Sequence, residues 1–126
     1  MKLKNLLIVS SFLLIFVIAG CRAPQSNVNL DSFAQCLTDK DVKFFGAYWC
    51  PHCASQKSLF GDSFEHVNYI ECSLPGRAGE TQICIDENIN TYPTWEFPSG
   101  ERVEGQLSIL QLSQLSGCAL TPENTN

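Results

Sequence analysis

The junction that most constrains this chain is Val42-Lys43-Phe44-Phe45-Gly46-Ala47 followed almost at once by Cys50-Pro51-His52-Cys53. The apolar run is rich in strand formers and predicts a buried strand. Proline suits the first turn of a helix, where its missing N–H costs nothing. A helix is therefore expected from Pro51 to about Phe60, with Gly61 placed to end it. A strand that runs directly into a helix N-terminus puts Cys50 at the cap and Cys53 three residues on, along the same face.

That placement has chemical consequences. Unpaired backbone N–H groups and the positive end of the helix dipole stabilise a thiolate at Cys50. Cys50 then attacks or is attacked, and the more buried Cys53 resolves the mixed disulfide. Pro51 stiffens the turn. His52, if protonated or donating to the sulfur, lowers the pKa of Cys50 and makes the oxidised pair the stronger oxidant. Competing readings are weaker. Zinc needs a second ligand pair at similar spacing, and Cys72 and Cys84 are twelve apart. Covalent haem needs His after the second Cys, where Ala54 stands. A purely structural disulfide in so small a loop is strained. No metal and no cofactor are expected.

The other elements follow from periodicity and punctuation. Leu30, Phe33, Ala34 and Leu37 recur at helical spacing, with Asp31 and Ser32 as acidic and capping groups. Val67 to Cys72 alternates as a strand. Ser73 to Glu80, with Pro75, Gly76 and Gly79, reads as a loop, and Thr81 to Asn88 as a short helix. Thr94-Trp95-Glu96-Phe97 and Arg102-Val103-Glu104 form a hairpin across Pro98-Ser99-Gly100. Ser108 and Gln111 form a capping-box signature ahead of Ile109, Leu112 and Leu115, with Gly117 as the stop. The order α-β-α-β-α-β-β-α predicts an α/β thioredoxin fold: a mixed four-stranded sheet with helices on both faces.

The 126 residues hold one domain, from about Leu30 to Cys118. Residues 1–20 read as an export signal: Lys2 and Lys4, then the apolar run Leu6 to Ile18. Ile18-Ala19-Gly20-Cys21 resembles a bacterial lipobox and makes Cys21 the lipidation site. Residues 21–29 form a polar tether and 119–126 a polar tail. The expected location is extracytoplasmic, on the periplasmic or cell-surface side, at a membrane. Removing residues 1–20 takes away two lysines and no acid, leaving six basic and 13 acidic side chains, a balance of −7. That balance argues against nucleic acid. Seven cysteines in an exported chain make disulfides the default, and setting Cys21 aside leaves an even six.

Phe45-Gly46-Ala47-Tyr48-Trp49-Cys50-Pro51-His52-Cys53 resembles a thioredoxin-superfamily active site, and Cys-Pro-His-Cys is the choice of the DsbA oxidases. The wider pattern is similar to the thioredoxin-like domain fused to bacterial homologues of vitamin K epoxide reductase. It is carried by Phe33-Ala34-Gln35-Cys36-Leu37, Tyr69-Ile70-Glu71-Cys72, Tyr92-Pro93-Thr94-Trp95-Glu96 and Leu115-Ser116-Gly117-Cys118. The resemblance implies that Pro93 is the cis-proline facing the Cys pair, where adjacent backbone pairs with an extended substrate. It also implies substrate contacts from Tyr48, Trp49, Tyr92 and Thr94. Thioredoxins carry a buried acid six residues before the first Cys; here Phe44 stands there, leaving water, His52 or Glu71 to move the Cys53 proton. Glu71 otherwise reads as a solvated strand residue, His66 as a surface residue, and Trp95 equally as core or substrate contact.

Four cysteines remain, with three possible connectivities. Cys36–Cys118 and Cys72–Cys84 are preferred as structural disulfides, the first tying the first helix to the end of the last, the second closing the loop after a strand. The implied function is a monomeric thiol:disulfide oxidoreductase that oxidises protein thiols and is reoxidised by a membrane partner of the vitamin K epoxide reductase type. A reductase or isomerase uses the same residues in the other direction. A disulfide-stapled binding lipoprotein with a vestigial Cys pair is the non-enzymatic alternative.

Overall fold

The computed structural model describes residues 30–121; the stretches read above as a signal (1–20) and a tether (21–29, with Cys21) and positions 122–126 lie outside them. In chain order run α1 (Asp31–Asp39), β1 (Lys43–Gly46), α2 (Pro51–Ser58) and a 3-10 segment (Gly61–His66). They are followed by β2 (Tyr69–Glu71), a 3-10 turn (Pro75–Arg77), α3 (Gln82–Asp86), β3 (Thr94–Glu96), β4 (Arg102–Glu104) and α4 (Ile109–Ser116). The sheet order is β2-β1-β3-β4, with β1 parallel to β2 and antiparallel to β3, and β3 antiparallel to β4. This is a mixed α/β, thioredoxin-like fold.

Successive strand residues face opposite sides, and Phe44 and Phe45 divide the core between them. Phe44 pairs in register with Trp95 and stacks on it at 4.6 Å. Both belong to the larger cluster with Phe33, Ala34 and Leu37 of α1, Phe60, and Leu112 of α4. Phe45 faces the smaller cluster of Cys72, Cys84 and Ile89 under α3. Each such side chain contributes roughly 1.5–3 kcal/mol on burial, which makes β1 the central beam. Trp95 is fully buried and is a core residue.

Two disulfides staple this core. Cys36 in α1 is bonded to Cys118 just past α4, and Cys72 after β2 to Cys84 in α3. Lys40 reinforces the first by donating to the Ser116 carbonyl at 2.9 Å. At α4 the Ser108–Gln111 capping box is complete, and Gly117 closes the helix in the left-handed region at φ +68°.

Local structure departs from the sequence-based reading at three places. Gly61 does not end α2; the helix stops at Ser58, and Gly61, at φ +54°, opens the 3-10 segment. That turn lets Phe60 and Phe64 both keep their rings against the core beside Trp95 and Phe44. Ser32 does not cap α1, because Leu30 occupies the N-cap. Instead Ser63 accepts from the Leu30 N–H at 3.2 Å and donates to Asp31 at 2.6 Å, tying the helix start to the 3-10 segment. The stretch 73–80 contains the Pro75–Arg77 turn and a bridge between Ser73 and Glu80.

Candidate active site

Cys50 sits at the N-cap of α2 in an extended conformation, with Pro51 as the first helical residue. The backbone N–H of Cys53 donates to its Sγ at 3.3 Å. The helix thus offers one of its free first-turn donors to the sulfur that would carry charge. Across the sheet, Tyr92–Pro93 is a cis peptide, and the Cys50 thiol donates to the Tyr92 carbonyl at 3.7 Å. Both thiols are free; Cys50 is 5% exposed and Cys53 fully buried. Burial, then the hydrogen bond with Cys50, pushes the Cys53 thiol up to about 12, and a backbone hydrogen bond from Ala47 and, less strongly, the Lys57 charge act in the opposite direction. Of the two sulfurs, only Cys50 can be met from solvent, and it lies beside a carbonyl suited to pairing with an incoming strand.

The cis-proline loop is braced from the side. The Tyr92 hydroxyl donates to Glu80 at 2.6 Å, and the ring meets the edge of Trp49 at 6.1 Å. Trp49 donates to Ser73 at 2.8 Å, and the Arg77 guanidinium lies over its ring at 5.0 Å. Trp49, Arg77, Glu80, Asn90 and Tyr92 line a cavity of about 320 Å³ with Cys72 on its wall. The cavity shares Trp49 and Tyr92 with the surroundings of Cys50 and carries both an acidic and a basic side chain, Glu80 and Arg77.

The expected site residues divide into those gathered at Cys50 and those that are not. Tyr48 and Trp49 are 53% and 39% exposed on the approach to Cys50, and Pro93 is buried opposite it. Tyr92 offers its carbonyl to the thiol while its ring belongs to the wall. Thr94 is a correction as to its side chain: it is 3% exposed and its hydroxyl donates to the Thr91 carbonyl at 2.7 Å, turned into the loop instead of toward solvent. The hydrogen bond of the exposed His52 ring goes to Gln106 at 3.3 Å, across to the segment before α4. Glu71 is not a solvated strand residue. It accepts from the Tyr48 N–H, the Ser73 N–H and the Tyr69 hydroxyl at 3.2, 2.9 and 2.6 Å, and so binds the Tyr48 turn to β2. His66 sits half-exposed near Asp31 and Glu65.

Sequence reasoning passed over Gly46, Gln56, Lys57, Tyr69 and Glu80. Gln56, on α2, is fully buried and bonds both the carbonyl and the N–H of Leu107. A glycine in the strand before the Cys pair was the one available signal: its missing Cβ leaves room that the Tyr69 ring and the Cys53 sulfur both use.

No family model matches the chain. It is 32% identical over 97 residues to the thiol-disulfide oxidoreductase LTO1 of Arabidopsis thaliana, an alignment covering 74% of this chain and 26% of that protein. The chain thus spans about a quarter of the length of that relative.

Proposed function

We propose that this chain is an extracytoplasmic thiol:disulfide oxidoreductase, lipid-anchored at Cys21, that oxidises protein thiols through Cys50 and Cys53. The observation that carries the reading is the position of the Cys50 sulfur, between the Cys53 N–H at the start of α2 and the Tyr92 carbonyl of the cis peptide. The name of the plant relative, a thiol-disulfide oxidoreductase, supports that class of chemistry.

In the oxidised state, a substrate thiolate attacks Cys50, the Cys50–Cys53 bond breaks, and Cys53 leaves as a thiolate. A second substrate thiolate then attacks the substrate sulfur of the mixed disulfide and releases Cys50. Two electrons and two protons pass from the client to the Cys pair, and a membrane partner of the vitamin K epoxide reductase type takes them on. The Tyr92 backbone aligns the client strand, while Tyr48 and Trp49 supply apolar contact beside the sulfur. The client side chain next to its cysteine enters the cavity walled by Trp49, Arg77 and Glu80.

Reductive flow is the second reading, and Cys53 favours it. A leaving thiol with a high pKa departs slowly, and burial holds Cys53 at about 12.

The reduction potential of the Cys50–Cys53 pair separates the two. A value near −120 mV supports the oxidase, and one near −270 mV the reductase. Cys50→Ser removes all exchange with a peptide dithiol in either case, and Cys53→Ser accumulates a client linked to Cys50. Activity surviving Cys50→Ser would sink both readings. Fatty-acid labelling that disappears with Cys21→Ser tests the anchor.

A further inference from the structure

Under the reading just given, Cys53 carries negative charge in both directions of exchange. It departs as a thiolate when the disulfide opens, and attacks as one when it resolves a mixed disulfide. Burial opposes that charge, and a backbone hydrogen bond from Ala47 favours it without supplying a counter-ion. Phe44 of β1 and Phe60 belong to the same buried cluster, against which Phe64 and Tyr69 pack.

The ionisable groups around this sulfur are few. On its own helix stand Cys50 and, one turn further, Lys57. From β2 comes Tyr69, with Glu71 on its hydroxyl, and from the cis-proline loop Tyr92, with Glu80 on its hydroxyl. From β1 come Phe44 and Gly46, and from the 3-10 segment Phe64, none of them ionisable. Gly46 is the opening through which these groups meet. A Cβ there would lie 3.0 Å from Tyr69 Cε2 and 3.1 Å from Cys53 Sγ, so ring edge and sulfur share the space above the glycine. On the face of the same ring lies the Lys57 ammonium, 3.7 Å from its centroid and 5.3 Å from that of Phe64. A cation held on an aromatic face by the ring quadrupole is placed without a neutralising carboxylate. Among the described residues, no carboxylate reaches Lys57 within ion-pair distance. Glu71, the nearest acid in the network, already serves three donors.

We propose that Lys57, seated on the Tyr69 ring, is the positioning residue that supplies the counter-charge for the Cys53 thiolate. It acts through space and takes no proton in the step. Its un-neutralised charge eases both departure and attack of a sulfur that burial would otherwise keep protonated, in a site where Phe44 leaves no acid to assist.

The test reads the resolving sulfur directly. In the full chain carrying Cys21→Ser, reduced protein reacts with the aromatic disulfide 5,5′-dithiobis(2-nitrobenzoate) in two stages. Cys50 attacks first, breaking the reagent's disulfide and releasing one nitrothiobenzoate. The Cys53 thiolate then attacks Cys50, forms the Cys50–Cys53 bond and releases the second. Lys57→Met is expected to slow the second release about tenfold at neutral pH and to move the midpoint of its pH profile up by about one unit. The first release should stay unchanged, and Lys57→Arg should restore the second to within about twofold. A second-stage profile unmoved in Lys57→Met overturns the proposal, as does equal slowing of both stages with the midpoint in place. So does a Lys57→Arg chain as slow as Lys57→Met. If methionine disturbs folding, Lys57→Gln carries the same test with the same outcomes. No client protein takes part, so a shifted profile in a chain inert toward protein thiols would sink the proposed function and leave this inference standing.

Discussion

Gln56 and Leu107 close a two-way hydrogen-bonded pair: the Gln56 Nε2 donates to the Leu107 carbonyl at 2.9 Å, and the Leu107 N–H donates to Gln56 Oε1 at 2.8 Å. The same oxygen accepts from Trp95 Nε1 at 3.4 Å. One fully buried amide thereby joins the helix that carries Cys53, the central strand β3 and the approach to α4. His52 to Gln106 makes a second link across the same gap. The helix bearing the Cys pair is held by polar side chains at its back and by the core along its inner face.

Gln56→Leu should therefore cost more than a change of similar volume in the apolar core. It leaves the Leu107 N–H and carbonyl and the Trp95 N–H buried without partners, at about 1–3 kcal/mol each. The expected loss is at least about 3 kcal/mol, read from urea unfolding. A loss below about 1 kcal/mol would mean that water or a shifted loop satisfies these groups.

The Cys36–Cys118 disulfide spans a separation of 82 residues. Chain-entropy reasoning gives about 4–5 kcal/mol for closing so long a loop. Cys36→Ser with Cys118→Ser should lower stability by roughly that amount and drop Tm clearly. The two-stage thiol release at Cys50 and Cys53 should keep its rates in the folded protein, because the bridge joins α1 to the end of α4 and neither half-cystine makes a hydrogen bond to Cys50, Cys53 or the cis-proline loop. Altered release rates in that double variant would argue that the staple shapes the site.

The element order was legible because it rests on local signals. Pro51 after Cys50 announces a helix start, Ser108 and Gln111 a capping box, and the residues between strands and helices are turn formers. Two kinds of information were not local. Thr94 carries a substrate-like label from its place beside Pro93, yet its register opposite Phe45 turns the side chain inward. Lys57, Tyr69 and Glu71 look like ordinary helix-surface and strand residues. They become a network only when β2 lies parallel to β1 and brings them to Gly46, a pairing no short spacing encodes. Gly61 misled for a related reason: aromatic burial by Phe60 and Phe64 made the chain turn where a stop signal stood.

Acid should weaken the sheet through one carboxylate. Glu96 on β3 lies in register between Lys43 on β1 and Arg102 on β4, and accepts from them at 3.0 and 2.6 Å. Burial alone would raise its pKa, but the two cationic partners outweigh this and hold it below the usual carboxylate value. The folded state therefore favours the ionised form. Its contribution is fully present above the unfolded carboxylate pKa of about 4.3, and it is lost as pH falls through the lower folded value. Glu96→Gln should cost about 1–2 kcal/mol at pH 7, and the gap to the parent chain should close on titration from about pH 5 downward. A gap that stays constant across that range would show that the ion pairs contribute nothing.

Gly46→Ala tests the close approach on which the site's polar wiring depends. The new methyl would stand 3.0 Å from Tyr69 Cε2 and 3.1 Å from Cys53 Sγ, inside the range that packed carbons normally keep. Neither neighbour yields easily. Tyr69 is pinned through its hydroxyl to Glu71 and covered by Lys57, while Cys53 is held by the first turn of α2. Overpacking of this kind costs about 1–3 kcal/mol, and urea unfolding should show it. The relief available is to push the sulfur and the ring apart, which lengthens the path from Lys57 to the thiolate. The second nitrothiobenzoate release should therefore slow while the first, at Cys50, holds its rate. A chain with Gly46→Ala that matches the parent in stability and in both release rates would show that β1 has slack there, and that Cys53 and Tyr69 do not share the space above it.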